Sequence, residues 1–353
     1  MGRMRTPTRA LAAREENLAA LQERLTDAVG ALVTSEDWKR ALEFAARFRA
    51  RSFSNTMLIR VQHHAAFLGG QVPDPVPTYV AGFKQWARLD RHVEKGRTGY
   101  AILAPVTARV ASSTPSDERS WRRLARGERP APGEAVRSKV VGVRPAYVWD
   151  VSQTSGAPFP EQPRPELLQG QAPEGLWDGL ADQMTARGFG VQLVSNAVAI
   201  GGANGQTNYA THEVLIRADM DDAARVKTLA HELGHVLLHG PADAGALLHR
   251  GIAEVEAESV ALMVAAAHGL NTEDYTVPYV SSWASSVEGK TPAEVVQSTA
   301  ERVRTTALTI LDRLSTQQIG DGPPPGLDHR PLNQAPPGRS VETVSRVAEV
   351  AGP

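Results

Sequence analysis

The 353-residue chain contains no cysteine. That excludes disulfides, thiolate metal ligands and cysteine nucleophiles, and it suits a reducing, cytoplasmic setting. No run of about 18 apolar residues occurs, so no membrane span is expected. The N-terminus, MGRMRTPTRALAAREENLAALQERL, is basic but lacks an apolar core segment, and no signal peptide is read there. Aromatic residues are scarce, 5% of the chain, yet unevenly spread: twelve of the nineteen precede residue 150. Net charge is almost absent, at −1, and the total conceals a split. Residues 1–150 carry 25 Lys+Arg against 15 Asp+Glu, or +10, and the remainder 13 against 24, or −11. Such a split points to a first half that meets a polyanion, or to two halves that attract one another. The length suffices for two domains, each with its own core.

Against these absences stands one dense stretch, Asp219 to Gly240, which reads DMDDAARVKTLAHELGHVLLHG. Asp219 is a suitable N-cap, acidic residues crowd the first turn, and Val226, Leu229, Ala230, Leu233 and Leu237 recur at helical spacing. Gly240-Pro241 supplies a stop. The stretch contains His231-Glu232-Leu233-Gly234-His235, the HExxH pattern. On a helix the two histidines project from one face one turn apart, where both can bind a single Zn2+. Glu232 beside them is the candidate general base for a zinc-activated water. His239, one turn further, is read as packing or hydrogen bonding at the helix end.

A catalytic zinc needs a third protein ligand. Residues 251–268 form an Ala-rich helical run with Glu254 and Glu258 on one face and Glu256 pointing elsewhere. From His235 to Glu254 is 254 − 235 = 19 positions, room for a loop and a returning helix. This arrangement resembles the gluzincins, whose HExxH is followed by a glutamate on a second helix. The resemblance implies that Glu254 is the third ligand and Glu258 supports a histidine ring, with Glu258 as ligand the rival. Tyr209 or His212 is a candidate donor to the oxyanion.

In the first half, Leu11–Val33 and Glu36–Arg49 read as amphipathic helices, the second capped by Ser35. Residues 107–137 are rich in Ser, Pro, Gly and Arg with little periodicity, and read as a mobile insertion. The blocks Arg51-Ser-Phe-Ser-Asn-Thr-Met-Leu-Ile, Val80-Ala-Gly-Phe-Lys-Gln-Trp, RHVEKGRTGYAILAP and WDVSQT stand in the order seen in ArdC-type antirestriction proteins. They resemble that family's N-terminal single-stranded-DNA-binding domain, which is followed by a zincin-like metallopeptidase domain. The HELGHVLLH block also resembles the ImmA/IrrE metallopeptidases, although Asn is usual there at the position of Glu258.

The fold class implied is α+β in two domains: residues 1–160 for single-stranded DNA, residues 161–316 zincin-like with a small sheet feeding the HExxH helix. Residues 317–353 read as a disordered tail with one short helix at 341–350. Arg49, Arg51, Lys84, Arg88, Arg91, Lys95 and Arg97 are the candidate phosphate contacts, and Trp86 the candidate stacking platform. The function expected is a DNA-associated zinc metallopeptidase acting on an unidentified peptide. The alternatives are a non-hydrolytic single-strand-binding protein with a structural zinc, and a repressor-cleaving metalloprotease.

Overall fold

A computed structural model describes residues 7–125, 127–159, 170–240, 250–272, 280–285 and 289–324. In chain order the elements are α1 (Pro7–Gly30), α2 (Ser35–Arg47), α3 (Phe53–Leu68), β1 (Val80–Gly82), α4 (Phe83–Arg88), β2 (Arg91–Val93), β3 (Tyr100–Ser112), β4 (Arg122–Arg123), β5 (Ala135–Asp150) and β6 (Thr154–Gly156). There follow α5 (Leu176–Thr185), β7 (Gly190–Val194), β8 (Gly205–Asn208), β9 (Glu213–Arg217), α6 (Asp222–Leu238), α7 (Arg250–Ala267), α8 (Val280–Ala284) and α9 (Pro292–Leu311). The fold is α+β with a two-domain layout. Among the described residues no helix is long and apolar enough to cross a membrane.

Side-chain caps set several helix starts. Thr34, not the expected Ser35, caps α2: its hydroxyl accepts from Asp37 N while the Asp37 carboxylate accepts from Thr34 N at 3.0 Å. Thr291 and Glu294 cap α9 in the same reciprocal manner, and Ser52 caps α3 by accepting from Asn55 N. The expected start of the HExxH helix is corrected too. Asp219 is occupied by Arg217, whose guanidinium reaches both its oxygens at 2.6 and 2.9 Å, so Asp221 becomes the N-cap and accepts from Ala224 N at 2.7 Å.

The chain divides into two compact units, Met1–Leu103 with Pro145–Asp328, and Ala104–Arg144 with His329–Pro353. In the first unit, elements from both domains contribute to one core. α2 packs on α7, with Trp38 fully buried and its Nε1 donating to Ser259 Oγ at 3.0 Å. Phe53 N donates to the Glu301 carboxylate at 3.0 Å, and Arg304 donates to the Arg49 carbonyl at 2.6 Å. The small sheet has the order β7-β9-β8, with β9 parallel to β7 and antiparallel to β8. Val214 and Ile216 of β9 are buried in the core that carries Leu229 and Leu233 of α6. Ala197–Ile200 is a 3-10 turn started by Asn196, whose side chain accepts from Val198 N.

Residues 315–324 correct the expectation of a disordered tail for their part. Ile319 N donates to the Ala267 carbonyl at 2.7 Å, and the Gly322 carbonyl accepts from Val80 N at 2.9 Å. Gly322 lies so close to Phe48 that a Cβ would meet its ring at 2.4 Å. The expected helix at 341–350 lies outside the described residues.

The second unit contains the far ends of β3 and β5 with β4, and it corrects the aperiodic reading of residues 107–137. Val110 pairs with Arg123 and Ala111 with Arg122 in an antiparallel ladder. Arg122 bridges Glu128 and Glu134, and Arg137 donates to Glu118 at 2.7 Å while its guanidinium lies 4.0 Å from the Trp121 ring centroid. Ion pairs and turns hold this stretch where hydrophobic periodicity does not.

Candidate metal centre

The centre is built where α6 crosses α7. Gly234 makes the crossing close: a Cβ there would stand 3.1 Å from the Ala257 Cα and 3.4 Å from Val260 Cβ. With the backbones this near, the face of α6 carrying His231 and His235 meets the face of α7 carrying Glu254 and Glu258. Donor atoms of His231, His235 and Glu254 lie within 4.8 Å of one another. The two Nε2 atoms are 3.0 Å apart, and Glu254 oxygens stand 3.5 Å from His231 Nε2 and 3.6 Å from His235 Nε2. Ligands bonded at about 2.0–2.1 Å to a tetrahedral ion are roughly 3.3 Å apart, so two imidazoles and a carboxylate fit a zinc-like cation.

The field at this point favours positive charge. Burial works against a His231 cation, but Glu254, Glu258 and Glu232 outweigh it and push its pKa up to about 9. Hydrogen bonds from His231 and then His235 hold the Glu254 carboxyl far below the ordinary range, and its side chain stays exposed to solvent. Burial would raise Glu258, but His231 and Lys227 overcome it and hold it low. Glu258 Oε2 lies 3.1 Å from His231 Nδ1 and its other oxygen 3.1 Å from Lys227 Nζ. Glu258 is thus behind a ring, and Glu254 is in front of both.

A second chain of contacts stands behind His235. Its Nδ1 is 3.1 Å from His239 Nδ1, and His239 Nε2 is 3.0 Å from Glu256 Oε2. Glu256 is 2% exposed and also meets Arg302 at 3.3 Å. His239 is the C-cap of α6, donating its own N–H to the His235 carbonyl at 2.8 Å.

Glu232 is buried and reaches the sheet instead of the two-histidine face. Its Oε2 accepts from Thr207 Oγ1 of β8 at 2.6 Å. A Cβ on Gly205 would stand 2.9 Å from Glu232 Oε1 and 2.6 Å from Thr228 Cγ2, so only glycine leaves the carboxylate room at that strand position. The Tyr209 hydroxyl is buried with no hydrogen-bond partner among the described residues, and burial followed by the Glu232 charge raises its pKa to about 12. His212 is exposed and stacked on Phe189 at 4.9 Å between centroids.

The expected DNA contacts divide. Lys84, Arg88 and Lys95 are exposed. Arg49 donates to the Ile319 carbonyl at 3.0 Å and Arg51 to the Val80 carbonyl at 3.0 Å, so their guanidinium groups serve the interior. Arg91 donates to Thr154 and Ala157, and Arg97 pairs with Glu94 at 2.9 Å. Trp86 is corrected outright. It is fully buried in a cluster with Tyr79 and Ala81, its Nε1 donates to the Trp149 carbonyl at 3.0 Å, and no base can stack on it.

Comparison with known proteins agrees with this layout. Residues 16–140 match the family described as the N-terminal domain of anti-restriction factor ArdC, and residues 186–283 the IrrE N-terminal-like domain of the M78 peptidases. Over those residues the first domain is of the ArdC type and the second of the IrrE type. Among solved structures, the antirestriction protein ArdC from plasmid R388 is similar in a metal-free form, with TM-score 0.45, 18% identity, 74% of this chain and 84% of that chain covered. Its Mn(II)-bound form gives 0.42, 17%, 75% and 89%. No curated protein matches the chain.

Sequence reasoning missed Thr207 and Glu256. Thr207 carries no local signal, since its role depends on β8 lying against α6. Glu256 could have been found with His239: the HExxH helix continues one turn to a third histidine on the same face, and such a ring needs a partner for its second nitrogen.

Proposed function

We propose that the chain is a single-strand-binding metallopeptidase of antirestriction type, with a zinc-like cation held by His231, His235 and Glu254. The observation that carries the reading is the placement of Glu232: buried beside two imidazoles, hydrogen-bonded to the edge strand β8, and with no share in holding the ion. A divalent cation bound there would supply Lewis acidity toward water and a carbonyl oxygen. Glu232 would take the proton of the attacking water and return it to the leaving amine. β8 lies at the edge of its sheet, where an extended peptide can add as a further strand and bring its carbonyl past Thr207 to the site. Tyr209, whose high pKa keeps its proton at neutral pH, is the candidate donor to the developing oxyanion. The basic first half, +10 over residues 1–150, supports binding of single-stranded DNA beside it.

The test joins metal analysis to a peptide-library digest, with zinc and manganese supplied separately, since imidazole and carboxylate donors accept both. The expected result is about one ion per chain and cleavage that Glu232→Gln abolishes while the ion stays bound. Cleavage by Glu232→Gln at the wild-type rate would remove Glu232 as the base. Metal retention with no cleavage of any peptide would leave the non-hydrolytic binding reading.

A further inference from the structure

Trp86 is buried, but other aromatics near it are not. Phe83 is 57% exposed and Tyr147 51% exposed. The β1–β5 register brings their backbones near one another: Gly82 pairs with Val148, and Phe83 and Tyr147 are the residues next to that pair. Val148 is buried, hence Tyr147 and Trp149 project from the opposite face of β5. Trp149 completes the group, its ring 6.1 Å from that of Phe83 at an interplanar angle of 72°. The indole cannot swing freely. It lies on Gly99, where a Cβ would meet Cε2 at 2.6 Å, and its Nε1 donates to the Arg97 carbonyl at 3.4 Å. Beside the group, Lys84 and Arg88 are exposed and one turn apart on α4.

We infer that Phe83, Tyr147 and Trp149 form the platform on which unpaired nucleobases stack, with Lys84 and Arg88 flanking it as phosphate contacts. The inference rests on the single-strand reading above and names its surface. Two large rings more than half exposed, beside the partly buried Trp149, are unfavourable unless something covers them. Exposed cations beside them, in a half carrying +10, select an anionic partner that also offers flat apolar faces. Unpaired nucleic acid is that partner. A duplex keeps its base faces stacked on one another and offers the rings nothing.

The experiment uses the full chain and a fluorescein-labelled oligothymidylate, with a duplex of equal length as control, titrated at several salt concentrations. Phe83→Ala and Tyr147→Ala should each weaken single-strand binding about 5- to 150-fold, the equivalent of losing one stacked base. Neither should alter the salt slope, because no charge is removed. Lys84→Ala with Arg88→Ala should shallow the slope by about 0.7 for each phosphate that is no longer neutralised. The oligonucleotide should quench tryptophan emission in the wild type, and Trp149→Phe should lose most of that quench. Thermal melts confirm that the surface variants remain folded. Wild-type affinity in Phe83→Ala and Tyr147→Ala overturns the platform while leaving single-strand binding in place. A wild type that binds neither oligonucleotide overturns the single-strand reading itself, and the platform with it. Unchanged DNA affinity with altered self-association on a sizing column would make the face an interface between copies and also overturn the proposal.

Discussion

At the scale of single residues, the metal centre is a problem of where protons sit. A carboxylate accepts only, so Glu256 requires the proton of His239 on Nε2, and the neutral ring then accepts at Nδ1. His235 must therefore donate from Nδ1, which leaves its Nε2 lone pair facing His231 and Glu254. Glu258 imposes the same order on His231 through Nδ1. Removing either support frees a ring to rotate or to carry its proton on the wrong nitrogen. Glu256→Gln and His239→Gln are each expected to lower metal affinity about 10- to 100-fold with little change in circular dichroism, measured by titration against a chelator. Unchanged affinity in both would show that His235 needs no orienting partner. Trp86→Ala belongs to a different class. It empties a fully buried site and is expected to cost about 3–5 kcal/mol in urea denaturation, with any loss of DNA binding following from instability. The placing of His231, Glu232 and His235 on one helix was legible in sequence because apolar periodicity and motif spacing agreed around them, even though the cap lay two residues further on. The burial of Trp86 was not, since an aromatic among basic residues reads alike whether it faces solvent or core.

At the scale of elements, the HExxH helix and its partner were legible and their crossing was not. Periodicity placed both helices, and Gly234 in the motif carried no visible reason until Ala257 was found against it. Replacing Gly234 with Ala sets two effects against each other. Alanine gains about 1 kcal/mol of helix propensity, and the added methyl presses on the α7 backbone, which cannot turn aside as a flexible side chain would. Overpacking of this kind costs about 1–3 kcal/mol. The expected outcome is a net loss of stability, read as a lower urea midpoint, together with weaker metal binding as the ligand faces separate. A more stable variant with full metal affinity would mean that the crossing has slack. Strands were the less legible elements. Apolar alternation alone does not mark the break between β8 and β9 after Asn208, whose side chain accepts from Ala210 N and Thr211 N and turns the chain back. Residues 315–324 gave no local signal at all, because their order comes from Ala267 and Val80, far away in sequence.

At the scale of the whole molecule, two histidines far from the metal centre tie folding to pH. His63 and His268 are 1% and 0% exposed, and each faces one carbonyl and one hydroxyl. His63 Nε2 lies 2.9 Å from the Asp74 carbonyl and its Nδ1 2.8 Å from Tyr100 Oη. His268 Nδ1 lies 2.7 Å from the Val264 carbonyl and its Nε2 2.7 Å from Thr316 Oγ1. In each ring the nitrogen at the carbonyl must donate, and the other can accept from the hydroxyl, so the neutral form is fully satisfied and a second proton has no acceptor beyond that hydroxyl oxygen. Burial accordingly lowers both pKa values, against the attraction of Asp150 and Asp74 for His63 and with Arg49 repelling a charge on His268. The sign follows from linkage. Below about pH 6.5 an unfolded histidine binds a proton that the folded one refuses, so the unfolded state holds more protons and stability falls as pH falls. The loss starts near the ordinary value of 6.5 and continues down to the lowered folded values, at up to about 1.4 kcal/mol per pH unit for each ring. In a His231→Gln background, which removes the opposite linkage of the raised His231, urea midpoints measured from pH 8 to 5 should therefore be flat above about 7 and decline below it. His63→Gln should flatten that decline by about half, whatever it costs in stability at pH 8, because it removes one of the two rings. An equal decline in the variant would place the acid sensitivity elsewhere.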